Sequence, residues 1–131
     1  MSLKIRGEEV LLEADPVLVS RILRNLFENA LRYASRGTVL AEAQRVDGRV
    51  TVGVADEGPG VPPGDLERLF EPLFRVDRSR STKAGGVGLG LMIVQRAVEA
   101  HGGQVRAENR PEGGLAVVFD LPLGGVPKAG E

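Results

Sequence analysis

The sequence predicts an α+β fold, a two-layer α/β sandwich in which a mixed, mostly antiparallel sheet carries its helices on one face. Three observations carry this expectation. Two long segments repeat apolar residues at helical spacing, about six short ones alternate, and the alternating segments come mostly in neighbouring pairs joined by glycine turns, as hairpins require. The 131 residues suit one domain, large enough to bury a core without crosslinks.

"KIRGEEVLLEA" alternates and is punctuated by Gly7, which suits short strands near residues 3 to 6 and 9 to 13. Asp15 and Pro16 then mark a helix start, a capping carboxylate before a proline at the first helical position, and the helical pattern runs to about Ala34. Arg36 and Gly37 end it. "TVLAEAQRV" and "RVTVGVADEG" alternate around Asp47 and Gly48, an antiparallel hairpin. Gly58 to Gly64 form a loop, "DLERLF" a short helix, and residues 71 to 86 have no clear period and make a candidate lid. A helix from about Val87 to Ala100 stops at the "HGG" of residues 101 to 103, and "QVRAEN" and "LAVVFDLPL" form a last strand pair. The domain spans 1–123, and 124–131 are a Gly- and Pro-rich tail.

Composition excludes several classes. No cysteine is present, so disulfides and thiolate zinc sites are ruled out. A net charge of -1 gives no global electrostatic case for a nucleic-acid or anionic-membrane partner. No apolar stretch approaches the roughly 20 residues of a membrane span, and no signal-peptide pattern opens the chain. The expectation is a soluble cytoplasmic domain, with room for it to be a fragment of something longer.

Three motifs carry chemistry. The first is "AGGVGLGLMIVQRAVEA" (84–100), with glycines at 85, 86, 88 and 90 leading into a helix. Bare backbone and the unpaired N–H groups of a helix start suit a phosphate chain, although a tight turn with close helix packing explains such a pattern about as well. It is neither a Walker loop nor a dinucleotide fingerprint.

The second lies on the first long helix. Leu18, Ile22, Asn25, Asn29 and Arg32 share a stripe that turns from apolar to polar midway, while the adjacent stripe of Val19, Leu23, Leu26, Ala30 and Tyr33 stays apolar and is expected to face the sheet. The two asparagines therefore belong at the core's edge. Asparagine is a poor interior helix residue, so the pair suits either solvated amides or oxygen ligation of Mg²⁺.

The third is "VADEGPG" (54–60), where a strand leads into Asp56 and then Gly58 and Gly60. A carboxylate there can accept a hydrogen bond from an exocyclic amine and the glycines admit a flat ring, but alone the motif is just a turn.

Together, in this order, the pieces resemble the ATP-binding catalytic domain of sensor histidine kinases, on the Bergerat fold. "NLFENALRYA" (25–34) is similar to that family's asparagine box, "DEGPG" (56–60) and "GGVGLGLMIV" (85–94) to its glycine boxes, and "FEPLFRVDRSRS" (70–81) to its phenylalanine box. "VEAHGGQV" and the closing "LPL" fit as well, so the resemblance covers about residues 5 to 123.

The resemblance implies ATP and Mg²⁺ as ligands and assigns roles. Asn29 would hold Mg²⁺, with Asn25 near the metal and phosphates, and Arg32 and Tyr33 beside the phosphate and ribose. Asp56 would receive the adenine amino group, with Gly58 and Gly60 making room for the base. Arg75, Arg80 and Lys83 would reach the phosphates from the lid, and the loop of Gly86, Gly88, Leu89 and Gly90 would wrap the phosphate chain. Asn25, Asn29 and Arg75 are the expected catalytic set. Two positions depart from the family. Leu73 stands where a phenylalanine usually anchors the lid, and Leu115 follows Gly114 where a threonine is usual, at the adenine end.

Gyrase-type, mismatch-repair and chaperone relatives carry a glutamate one turn before the metal asparagine as general base for water. Asn25 occupies that position here, and an amide cannot take a proton at neutral pH. Transfer to a protein acceptor is favoured over hydrolysis. The only histidine, His101, sits at a helix end suited to capping, so the acceptor is expected on a separate histidine-bearing dimerisation domain, with a response regulator downstream. The isolated chain is expected to be a monomer that binds ATP without phosphorylating itself, in a parent protein for which an inner-membrane anchor stays open. The rival readings are an ATPase, a degenerate nucleotide-dependent interaction module, and a nucleic-acid binder using Arg75, Arg78, Arg80 and Lys83, the last ranked lowest because a triphosphate explains those cations.

Overall fold

Asp47 and Gly48 both adopt positive φ, 51° and 75°, the backbone of the two-residue turn that matches the twist of a hairpin. They join β1 (Leu40–Val46) to β2 (Arg49–Ala55). The structure, a computed structural model, describes residues 16–33, 39–72 and 90–122. Within them lie α1 (Pro16–Tyr33), the β1–β2 hairpin, two 3-10 turns at Pro63–Asp65 and Glu67–Phe70, α2 (Gly90–Ala100), β3 (Val105–Asn109) and β4 (Leu115–Pro122). The strands expected near residues 3 to 6 and 9 to 13, the capping Asp15 and the tail fall outside the described residues.

The four strands form one sheet in the order β1-β2-β4-β3, with every pairing antiparallel. Alternation determines its buried face. On β2, Val50, Val52 and Val54 are buried, and they stand opposite Leu121, Phe119 and Val117 of β4. This register puts all six on the same side. Against that side pack α1 and α2, which also pack against each other, and one hydrophobic cluster joins helices and sheet. The α+β sandwich expected from the sequence is the architecture found.

On α1 the buried apolar residues are Ile22, Leu26, Phe27 and Ala30, with Val19 and Leu23 partly buried beside them. Ile22, placed by its spacing on the same stripe as the asparagines, is only 1 % exposed. The apolar face therefore straddles the two stripes instead of following one.

"DLERLF" is not a single helix. It folds as two 3-10 turns meeting at Leu66, and Glu71 is already extended at φ −75°, ψ 145°. Pro62, Pro63 and Pro72 bracket the segment and leave too few residues for a stable α-helix, and a residue before proline is pushed out of the helical region. Burial of Leu69 and Phe70 ties the segment to the core instead.

The stop of α2 follows the expected "HGG". The Gly103 N–H donates to Val98 O at 2.9 Å and the Gly102 N–H to Glu99 O at 3.1 Å, with Gly102 at φ +84°. This pair of bonds satisfies the last carbonyls of the helix. A side chain on Gly103 would collide with the Asp120 carbonyl of β4, so helix end and sheet approach as closely as backbone allows. His101 Nδ1 lies 2.9 Å from Ala97 O, the capping role expected of it.

Candidate functional site

Asp56 is the first residue beyond β2, and it is 2 % exposed. Its N–H donates to Leu115 O at 3.0 Å, extending the β2–β4 ladder by one residue. Its Oδ1 accepts the Gly58 N–H at 2.8 Å and the Leu115 N–H at 3.3 Å. One carboxylate oxygen is thus held by two backbone donors. The other, Oδ2, has no donor among the described residues. A buried carboxylate fixed by one oxygen and open at the other is suited to accept a hydrogen bond from a ligand.

Two glycines shape the surroundings. Gly60 adopts φ +80°, and a Cβ there would stand 2.8 Å from Asn109 Oδ1. Gly114 adopts φ +99°, and a Cβ there would collide with the Asp56 carbonyl. The Leu115 side chain is buried in the core, while its main-chain N–H and C=O both bond Asp56, so anchoring of the aspartate needs no side-chain hydroxyl.

Two residues that the motifs did not single out complete the frame. Asn109, at the end of β3, bonds both backbone groups of Val61: Oδ1 accepts its N–H at 2.9 Å and Nδ2 donates to its carbonyl at 2.7 Å. Arg110 donates from Nη1 to Asp56 O at 2.9 Å and to Gly113 O at 3.2 Å. Both contacts cross about fifty residues of chain, so no local spacing signals them.

Helix α1 supplies the asparagines, and it packs against β2, which ends one residue before Asp56. Asn29 is 9 % exposed, and no described residue bonds its side-chain amide. Burying an amide without a partner costs roughly 1–3 kcal/mol, so this side chain is suited to bond a group outside the described residues. Asn25 is half-buried one turn earlier and lines an open groove of about 420 Å³ between α1 and α2, together with Val17, Ser20, Arg21, Arg24 and Ile93. Arg32 is half-buried in the last turn of α1. Tyr33 ends the helix, and its side chain is outside the described residues. Gly90 opens α2. Arg75, Arg80, Lys83, Gly86, Gly88 and Leu89 lie outside the described residues, as do Leu73 and Phe74.

Among the described residues there is no cluster of three His, Cys, Asp or Glu side chains that could hold a metal, and no helix long and apolar enough to cross a membrane.

Residues 14–125 match the family model described as "Histidine kinase-, DNA gyrase B-, and HSP90-like ATPase". The chain is 44 % identical over 112 residues to the sensor histidine kinase CpxA of Escherichia coli, covering 86 % of this chain and 24 % of that protein. It therefore spans about a quarter of the length of that relative. Among solved structures it resembles full-length ShkA in complex with AMPPNP, with a TM-score of 0.78 and 34 % identity over 93 % of this chain and 25 % of that one. It also resembles the histidine kinase ThkA in complex with the response regulator TrrA, with a TM-score of 0.75 and 28 % identity over 92 % of this chain and 33 % of that one. The buried aspartate at the end of β2, the asparagine helix packed against that strand and these likenesses agree, and the chain belongs to the family of histidine kinase-, DNA gyrase B- and HSP90-like ATPases.

Proposed function

We propose that this chain binds Mg-ATP and supplies the γ-phosphoryl group to a histidine on a separate dimerisation domain, in two-component signal transduction. The observation that carries the nucleotide reading is Asp56, a buried carboxylate with one oxygen pinned and the other open. That oxygen accepts the adenine amine, and Gly58 and Gly60 leave the ring room to lie against the loop. AMPPNP bound to the similar ShkA and the response regulator bound to the similar ThkA support the nucleotide and the two-component context respectively.

The donor set of α1 fits Mg²⁺. Asn29 offers a buried amide oxygen without a described partner, and Mg²⁺ takes one or two protein oxygens and leaves the rest to phosphates and water. When bound, the ion offsets charge on the phosphates during transfer. Asn25 and Arg32 hold the phosphate region, with Tyr33 beside the ribose. Arg75, Arg80 and Lys83 contact the phosphates from the lid segment, and the stretch Gly86, Gly88, Leu89 and Gly90 wraps them.

Asn25 stands where a hydrolase of this family has its base, and an amide does not activate water. The chain therefore holds ATP without turning it over. The acceptor histidine, the response regulator and a cytoplasmic setting belong to the parent protein, and the isolated chain is a monomer without affinity for nucleic acid.

Calorimetric titration of ATP, with and without Mg²⁺, into this chain and into Asn29→Ala tests the reading. Binding that requires Mg²⁺ and weakens in the variant supports it. Absence of binding in every condition overturns it.

A further inference from the structure

Arg110 belongs to the turn between β3 and β4, yet its side chain reaches the end of β2. Its main chain closes the turn, with its N–H on Gly114 O at 2.8 Å and its carbonyl accepting the Gly113 N–H at 3.0 Å. Its side chain is only 15 % exposed. From there Nη1 donates to Asp56 O at 2.9 Å and Gly113 O at 3.2 Å, while Nη2 meets Glu112 Oε2 at 3.1 Å. A planar fork spreads its donors over separate nitrogens and bridges two carbonyls and a carboxylate at once, which a lysine would have to reach from a single point.

Every described bond of Asp56 then has a function. Leu115 fixes its N–H and shares its Oδ1 with Gly58, and Arg110 fixes its carbonyl. With both sides of the residue held, the aim of Oδ2 is set by the frame. Removing the guanidinium takes from the Asp56 carbonyl its described side-chain donor and weakens the hold on that carbonyl.

We propose that Arg110 is a positioning residue for nucleobase recognition: by clamping the Asp56 carbonyl it aims the Asp56 carboxylate at the exocyclic amine of adenine. The inference rests on the reading that Asp56 receives that amine. Arg110 touches no part of the nucleotide in this role and acts through Asp56 alone. A turn staple with no part in recognition would move stability and leave base preference untouched.

The test compares ATP with inosine triphosphate, which carries an oxygen in place of the amine, by calorimetry on this chain and on Arg110→Ala and Arg110→Lys. Thermal unfolding is followed in parallel. The native chain is expected to prefer ATP by at least about tenfold, the value of one charge-assisted hydrogen bond. Arg110→Ala is expected to weaken ATP by about tenfold while changing inosine triphosphate by no more than about twofold, so the preference collapses. Arg110→Lys retains one bond and falls between, and it carries the test if the alanine variant does not fold. Equal weakening of both nucleotides, or an undiminished preference, overturns the positioning role while leaving the Asp56 reading intact. A native chain with no preference between the two nucleotides overturns both.

Discussion

Asn109 holds Val61 by both of its backbone groups, accepting the Val61 N–H at 2.9 Å and donating to the Val61 carbonyl at 2.7 Å. A side chain here does what a neighbouring strand would do, and it ties the loop after Asp56 to the end of β3. Replacing it by alanine removes two hydrogen bonds and leaves the backbone of Val61, a buried residue, without these partners. Asn109→Ala is expected to lower unfolding stability by about 1–3 kcal/mol in urea titration. A change below about 0.5 kcal/mol would show that solvent replaces the clasp.

Gly114 faces a harder constraint, because its φ of +99° is strained for any side chain and a Cβ would strike the Asp56 carbonyl. Gly114→Ala is expected to cost about 2 kcal/mol or more, since left-handed strain and a backbone collision add. Because the collision is with Asp56 itself, nucleotide affinity should fall with stability. Denaturation and ATP titration on the same sample check both, and a variant as stable as the native chain would contradict the close approach.

Much of this frame was legible in the sequence, for local reasons. Alternation gave β1, β2, β3 and β4, the pair Asp47–Gly48 gave the hairpin turn, and "HGG" gave the stop of α2. Asp56 was legible because it sits at a strand end before two glycines. The asparagines showed as polar residues interrupting an apolar stripe. What escaped depends on distance along the chain or on competition between local signals. Asn109 and Arg110 act on residues 48 and 54 positions away, and nothing near them marks that reach. The segment "DLERLF" reads as a helix because its apolar residues fit one, but the flanking prolines leave only 3-10 turns. Ile22 was read as part of the apolar half of the asparagine stripe, and it is buried because a helix face is wider than one row of residues.

Asp56→Asn separates the shape of the site from its charge. The amide oxygen can keep the two backbone donors that now bond Oδ1, so the fold should persist. Its NH₂ then stands where Oδ2 stood and meets the adenine amine donor to donor. ATP affinity is expected to fall about 10- to 100-fold with an unfolding midpoint close to native. Calorimetry and thermal unfolding decide it, and native ATP affinity in the variant would remove Asp56 from recognition.

Arg49 provides a control far from this site. It pairs with Asp120 at 2.6 Å and also donates to Gly102 O at 2.7 Å, joining the start of β2 to the end of β4 and to the turn after α2. The six residue steps along β2 separate it from Ala55 by about 20 Å. The pair is 40 % and 28 % exposed, so solvent screens much of it. Arg49→Ala is expected to cost about 0.5–1.5 kcal/mol and to leave ATP affinity unchanged. A loss of affinity beyond about threefold would mean that the two ends of the sheet are coupled.

The chain contains one histidine, and its Nδ1 is engaged by the Ala97 carbonyl at the end of α2, where it satisfies the helix terminus. Phosphorylation at that nitrogen would break the contact and place a dianion beside the negative end of the helix dipole, an unfavourable location. Incubation of this chain with Mg-ATP labelled at the γ-phosphate is therefore expected to leave far less than stoichiometric label on the protein. Added in trans, a helical domain bearing a phosphoacceptor histidine should take the label, and Asn29→Ala should suppress that transfer. Stoichiometric labelling of the chain alone, abolished by His101→Gln, would place the acceptor inside this domain and overturn the assignment of His101 as a cap.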